Sequence, residues 1–274
     1  AIDAARAPGS SRVFVLAEGR LDNAPNEQWA NGIHSTKFLD DVLIITGNLA
    51  DSYRALERAF TCLRPKFRRL FFVPGNHEAW ITRPEQGTFP DSLAKLFAIM
   101  ELCDALDVDV FPAAICSGVY VVPLLSWYNA SFDVPDPFPD PAMQANKHCK
   151  WPVDQEQQLW RYMLRLNQES LDKPYYGTVI SFSHFAPRTN CPVLMEPGAR
   201  KISGCAELDE QVRAVRSCCH AYGHTHCRFN ETLDGVKYIH RPLLVDLGLD
   251  GSVSKDPLLC IFDGQALCFD MVET

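Results

Sequence analysis

The sequence predicts an α/β fold whose parallel strands deliver a site at their carboxyl ends. Short apolar runs, Asp41-Val42-Leu43-Ile44-Ile45-Thr46-Gly47 and Leu70-Phe71-Phe72-Val73, flank a stretch of helical spacing. Strand, helix, strand with short connections is the signature of a parallel sheet. A glycine turn then closes the second run, and Val73-Pro74-Gly75-Asn76-His77-Glu78 sets an amide and an imidazole side by side just past the strand. The design recurs in Tyr222-Gly223-His224-Thr225-His226, and His184 follows the run Val179-Ile180-Ser181-Phe182. Histidines and an asparagine just beyond strands, where open α/β sheets bind ligands, read as a metal centre.

In chain order, residues 1–11 form a tail and Arg12-Val13-Phe14-Val15-Leu16-Ala17 a first strand, after which Asn26-Glu27-Gln28-Trp29 begins a short helix. The strand at 41–47 is apolar almost throughout, as expected of a strand covered on both faces. Asp51 or Ser52 caps the next helix, where Tyr53, Leu56, Phe60 and Leu63 share a face. The basic run from Arg64 to Arg69 reads as a solvated helix end. After the start signal Pro90-Asp91-Ser92, Leu93, Leu96, Phe97, Met100 and Leu106 mark one apolar face, a core stripe. A strand is expected at 119–125, a proline-rich loop at 134–141, a polar helix from Asp154 to Leu171, and a loop at 191–204. Asp234-Gly235 between two runs of strand character signals a hairpin, and runs at 258–262 and 267–271 around Asp263-Gly264 suggest a second. With no repeat, low-complexity stretch or linker, residues 12–274 are expected to form one domain.

Composition excludes several classes of function. A hydrophobic content of 47% with 22% charged residues is that of an ordinary globular chain. The net charge of −8 argues against a surface that neutralises nucleic-acid phosphates. No apolar run approaches the roughly 18 residues that span a bilayer, so no transmembrane segment is expected. Eleven cysteines, odd in number and without a Cys-x-x-Cys pair, lie mostly in apolar runs. They read as small buried hydrophobes in a reducing, intracellular compartment. The chain starts on alanine, as it would after removal of a leader.

Gly-Asn-His-Glu, a strand-end histidine and Gly-His-x-His, in this order and at this wide spacing, resemble the calcineurin-like metallophosphoesterases. The likeness runs from about Val13 to Leu247 and is nearest to a plant and algal branch. The segments that carry it are Leu21-Asp22-Asn23-Ala24-Pro25-Asn26, Leu124-Leu125-Ser126-Trp127-Tyr128, His148-Cys149-Lys150-Trp151-Pro152 and Phe182-Ser183-His184-Phe185-Ala186-Pro187-Arg188. The resemblance implies a four-layered α/β/β/α sandwich with the site at a shared end of two sheets. With the alanine start, it also suggests a plastid (chloroplast).

Where the family carries Asp-x-His after its first strand, this chain has Glu18-Gly19-Arg20, and where it carries Gly-Asp after its second, this chain has Gly47-Asn48. The family pattern offers two carboxylates to two dications, whereas Glu18 and Arg20 sum to zero. Arginine cannot shed its proton to become a ligand. A unit charge about 4 Å from a dication costs several kcal/mol even at an effective dielectric of about 20. Arg20 is therefore expected to replace the first metal, paired with Glu18, leaving Glu18 and His226 as remnants of that site. By resemblance, Asn76, His184 and His224, with Asn48 in the bridging place, would hold one weakly bound divalent metal (manganese, zinc or iron) or none. His77 retains the place of the general acid.

Three functions follow. The first is a catalytically impaired phosphoesterase-like protein that serves as a structural or binding subunit of a larger complex, with protein partners. The second is a single-metal phosphoesterase in which Arg20 grips the phosphate of a mono- or diester. The third is a nucleotide- or phosphate-binding sensor without turnover, with Trp127, Tyr128 and Arg188 near its mouth.

Overall fold

A computed structural model describes residues 10–132, 148–152, 158–193, 199–243 and 258–274. Its chain order is β1 (Val13–Leu16), α1 (Ala24–Gly32), β2 (Phe38–Ile45), α2 (Tyr53–Leu63), β3 (Phe67–Phe72), α3 (Ser92–Ala105), β4 (Val108–Asp109), β5 (Ala113–Cys116), β6 (Val119–Pro123), α4 (Leu159–Leu166), α5 (Gln168–Leu171), β7 (Thr178–Phe182), α6 (Glu207–Ala214), β8 (Cys219–Tyr222), β9 (Phe229–Leu233), β10 (Val236–His240), β11 (Leu258–Phe262) and β12 (Leu267–Val272). These strands make two six-stranded mixed sheets, ordered β12-β11-β1-β2-β3-β4 and β5-β6-β7-β8-β10-β9. β1 to β4 run parallel in the first sheet and β6, β7, β8 and β10 in the second; β11 joins β1 antiparallel, and antiparallel hairpins close three of the four edges.

Strand periodicity explains the layering. Val13 and Val15 of β1, with Val42 and Ile44 of β2 and Phe71 of β3, point at Val121, Ile180, Phe182 and Ala221 of the other sheet. Their neighbours Phe14, Leu16, Leu43 and Ile45 point away, against Trp29 of α1 and Leu56 and Phe60 of α2. On the far side, Val179, Tyr222 and Tyr238 pack on Leu208 and Val212 of α6. Three apolar interfaces between four layers give the expected α/β/β/α sandwich, and strand side chains alternate between them with period two.

Several expectations are corrected in detail. On α3 the buried positions are Ser92, Lys95, Leu96, Ile99, Leu102 and Cys103, while Phe97 is exposed. The helix lies rotated from its most apolar stripe because Lys95 has partners below it. The basic run 64–69 is no free helix end: Lys66 donates to the carbonyls of Ala30 and Asn31, Arg64 pairs with Asp107, and Arg69 pairs with Asp109. Those carbonyls close α1, which has no basic residue in its own last turn. The polar helix is broken into α4 and α5, and residues 199–202 within the expected loop form a 3-10 turn. The short strands β4 and β5, of two and four residues, carry no readable period, and the eight-residue helix α6 is a further element beyond those expected.

The Asp234-Gly235 turn has φ of 47° and 84°, the doubly left-handed turn that suits a hairpin. All eleven cysteines are free thiols. No helix among the described residues is long and apolar enough to cross a membrane. The proline-rich loop at 134–141 and the start of the polar helix at 154–157 lie outside the described residues, as do residues 1–9 of the expected tail; Ser11 is buried.

Candidate functional site

Four loops that follow β1, β2, β3 and β8, and a fifth after β7, meet at one end of the two sheets. Their backbones are held in costly conformations. Of the eight described non-glycine residues with positive φ, five are Glu18 (52°), Arg20 (44°), Asn48 (52°), His224 (68°) and His226 (54°). Such residues cost on the order of 1–3 kcal/mol each and persist where the surroundings over-determine them. Glycine makes the convergence possible. A Cβ on Gly47 would stand 2.6 Å from both the Gly75 nitrogen and His184 Nδ1, and Gly47 itself has φ of 84°.

Glu78 fastens two of these loops together. Its carboxylate accepts from the backbone N–H groups of Asn48 (2.9 Å), Leu49 (2.7 Å), Ala50 (3.1 Å) and Gly75 (2.7 Å). This residue is a clamp for the turn: burial pushes its carboxyl up, and the four N–H donors oppose that.

Donor and acceptor logic then fixes the orientation of the side chains inside. The backbone N–H of His77 donates to Asn48 Oδ1 at 3.1 Å, so the Asn48 amide must turn its N–H2 inward. That amide donates to both oxygens of Glu18 (3.2 and 2.9 Å) and to Asn76 Oδ1 (3.2 Å). Asn76 consequently presents its oxygen. His184 Nδ1 faces the Thr46 carbonyl at 2.7 Å and His224 Nε2 faces the Ile202 carbonyl at 3.1 Å, and each of these nitrogens must carry the ring proton. Burial drives His184 down to about 4 and His224 well below its ordinary value, so both rings are neutral. Their remaining nitrogens, bare lone pairs, lie 3.0 and 3.1 Å from Asn76 Oδ1.

Two imidazole lone pairs and an amide oxygen thus converge without a proton between them. A cation resolves such an arrangement, and a carbonyl behind each histidine is the usual way to orient a metal-binding imidazole. Asn76, His184 and His224 therefore fit one divalent ion. Among the described residues no three histidine, cysteine, aspartate or glutamate side chains gather into such a group, so the set is poor in charge. Asn48 stands beside it, but its inward face is a donor rather than an oxygen.

The residues that the resemblance sets at the first position also meet. Glu18 is buried, accepts from His224 N at 2.8 Å, and lies 3.5 Å from His226 Nε2. Burial works against its charge, yet the imidazoles of His184, His226 and His224 and the amide of Asn48 outweigh it, and the carboxyl sits at about 2. At neutral pH, where His184 and His224 are uncharged, the His224 backbone N–H and the Asn48 amide stabilise that charge by direct donation.

Arg20 does not pair with Glu18 as expected. Its guanidinium reaches the other way, with Nε 3.6 Å from Asp51 Oδ1 and Nη1 3.4 Å from His77 Nε2. His77 Nδ1 lies 2.8 Å from the same Asp51 oxygen, and its ring packs on Trp80 with centroids 3.7 Å apart. Burial raises the Asp51 carboxyl less than His77 and Arg20 lower it, so it is ionised and accepts only. His77 thus carries its proton on Nδ1, and Nε2 is a lone pair turned to an arginine.

Arg188 is not at the mouth: it pairs with Asp234 at 2.7 Å and lies over the Tyr238 ring. Trp127 is core, buried against Phe185 and Trp151. Two contributors escaped the sequence reading. Asp51 looked like a helix cap, a role that Ser52 fills by accepting from Ala55 N. Lys95 sat in an apolar stripe, and a lone lysine there gives no signal.

Comparison with known proteins agrees with this fold. The chain is similar to the [acyl-carrier-protein] phosphodiesterase PptH of Mycobacterium tuberculosis, 24% identical over 230 residues that cover 73% of this chain and 67% of that protein. Its fold is similar to that of the crystal structure of phosphopantetheinyl hydrolase PptH from Mycobacterium tuberculosis, with a TM-score of 0.71 and 19% identity over 86% of this chain and 90% of the other. A second solved chain aligns over 96% of this one and 99% of its own, at a TM-score of 0.54 and 14% identity. A model of the calcineurin-like phosphoesterases matches residues 24–228, three quarters of the length, and the chain belongs to that family.

Proposed function

We propose that this chain keeps the phosphoesterase scaffold but serves as a binding or structural subunit, with two-metal hydrolysis lost. The observation that carries the reading is the 3.4 Å contact between Arg20 Nη1 and His77 Nε2. A general acid needs a proton on the nitrogen that faces the leaving oxygen. Here that nitrogen accepts, and protonating it would set an imidazolium against a fixed guanidinium. Arg20 also removes a ligand from the first position, and Asn48 offers N–H groups where the bridging carboxylate would stand.

A second reading is supported by the lone pairs of His184 and His224 beside Asn76. In it, Asn76, His184 and His224 hold one divalent ion, which would supply Lewis-acid polarisation of a phosphoryl oxygen. Arg20 suits the phosphate itself, since its side chain is one-third exposed. The similarity to a protein named as a phosphodiesterase agrees with this reading. The same pocket without turnover would be a phosphate or nucleotide sensor. Free thiols and the four segments of plant and algal likeness accord with a reducing compartment such as the plastid.

Elemental analysis of the unchelated protein, followed by assay against phosphate mono- and diesters with added manganese or zinc, separates the readings. Metal near zero or one per chain without turnover is expected. Turnover abolished by His77→Ala overturns the leading reading.

A further inference from the structure

The outer edge of the first sheet carries a feature that the site does not use. A groove of about 450 Å3 runs between the second half of α3 and the chain that leaves β4. Met100, Val110 and Phe111 give it apolar walls, and Phe111 is 68% exposed. One helical turn before Met100 and Glu101, Phe97 stands 50% exposed on α3. Large apolar side chains are rarely left in water together beside a concavity, and such patches mark interaction sites. β4 is the last strand of its sheet, so its far edge has no neighbouring strand among the described residues.

Charge decides what fits. Four carboxylates rim the groove, those of Glu101, Asp104, Asp107 and Asp109. Asp107 is paired with Arg64, and Asp109 binds Arg69 through both oxygens at 2.6 and 2.8 Å. Glu101 and Asp104 are exposed and form no ion pair among the described residues. The rim is therefore net negative, two unpaired carboxylates beside two paired ones. A second copy of this chain would bring the same acids face to face. Nucleic acid and anionic lipid surfaces are repelled as well. An extended segment with alternating basic and apolar side chains satisfies both halves of the groove, apolar groups on Phe111 and Met100 and cations on Glu101 and Asp104.

We propose that the α3–β4 groove is a docking site for an extended basic and apolar segment of a protein partner. The surface shares no residue with the metal-ligand and Arg20–Asp51–His77 cluster, so docking stands whether or not that cluster hydrolyses phosphate. The probe is a short labelled peptide alternating lysine with leucine, titrated into the full chain by fluorescence anisotropy at low and high salt. Saturable binding is expected, weakened several-fold by salt, with an acidic glutamate–leucine peptide failing to bind.

Phe111→Ser should reduce affinity at least tenfold. Glu101→Lys with Asp104→Lys should exchange the preference in favour of the acidic peptide. Both changes are on exposed side chains, so thermal unfolding should be unmoved, and Arg20→Ala should leave peptide affinity unchanged. No saturable binding, equal binding to the charge-reversed variant, or a dimer in sedimentation that Phe111→Ser dissolves would each overturn the proposal.

Discussion

The ammonium of Lys95 lies 3.0 Å from the carboxylate of Glu85; the lysine side chain is wholly buried and that of Glu85 is 10% exposed. The same nitrogen donates to the carbonyls of Asp51 at 2.9 Å and Trp80 at 2.6 Å. One buried cation therefore ties the loop that carries Asp51 to the loop that carries His77. Burial lowers the lysine's pKa against the pull of Glu85, while Thr82, Tyr53 and Lys95 hold Glu85 low against its own burial. The pair is charged at neutral pH.

Removing the cation leaves the Glu85 carboxylate, still bonded to Tyr53 and Thr82, without its counter-charge, and takes a donor from two carbonyls. Lys95→Met is expected to cost about 3–5 kcal/mol in urea unfolding. The paired change Lys95→Met with Glu85→Gln should cost clearly less than the lysine change alone, because the uncompensated charge goes with it. Equal losses would mean that the carbonyl bonds, not the ion pair, dominate.

Asn48→Asp restores a carboxylate at the bridging place but sets it against Glu18, which loses its amide donor. In chelator the variant should be less stable by about 2–4 kcal/mol. Added zinc or manganese should recover that loss in a concentration-dependent way, which thermal unfolding with and without metal would read.

Arg20→Ala tests how much the guanidinium matters to the fold. Its contacts are long and its head is partly exposed, so the change should shift stability by less than about 1 kcal/mol. Binding of a phosphate analogue such as tungstate should weaken at least tenfold if Arg20 is an anion contact. Calorimetric titration of both proteins supplies the comparison.

Acid should destabilise the protein before its carboxylates titrate. His220 is wholly buried between Ser181 Oγ (2.7 Å from Nδ1) and Ser183 Oγ (3.0 Å from Nε2). Burial drives it from 6.5 down to about 3. Below pH 6.5 the unfolded chain takes up a proton that the folded chain refuses, so this contribution to stability is whole above 6.5 and falls with pH until about 3. The slope for this group approaches about 1.4 kcal/mol per pH unit. His220→Gln should lower stability at neutral pH yet flatten the loss between pH 6 and 4, as urea midpoints across that window would show.

Much of the fold was legible in the chain alone. Apolar runs with the right period announce β1 to β3 and β7, and Asp234-Gly235 announces a hairpin because only certain residues accept two successive left-handed conformations. The strand-end motifs, read together, named the family, and Glu18, Arg20 and Asn48 stand where the resemblance implies other ligands. What only the tertiary structure decided is pairing across long separations: Glu18 with the His224 amide, Arg20 with Asp51 and not Glu18, Lys95 with the carbonyls of two loops. Sequence pattern reports which face of an element is apolar and where a turn can form. It is silent on which of several nearby acceptors a long side chain will choose, or on which way an amide points. Those choices depend on where every other donor and acceptor in the buried cluster has already been satisfied.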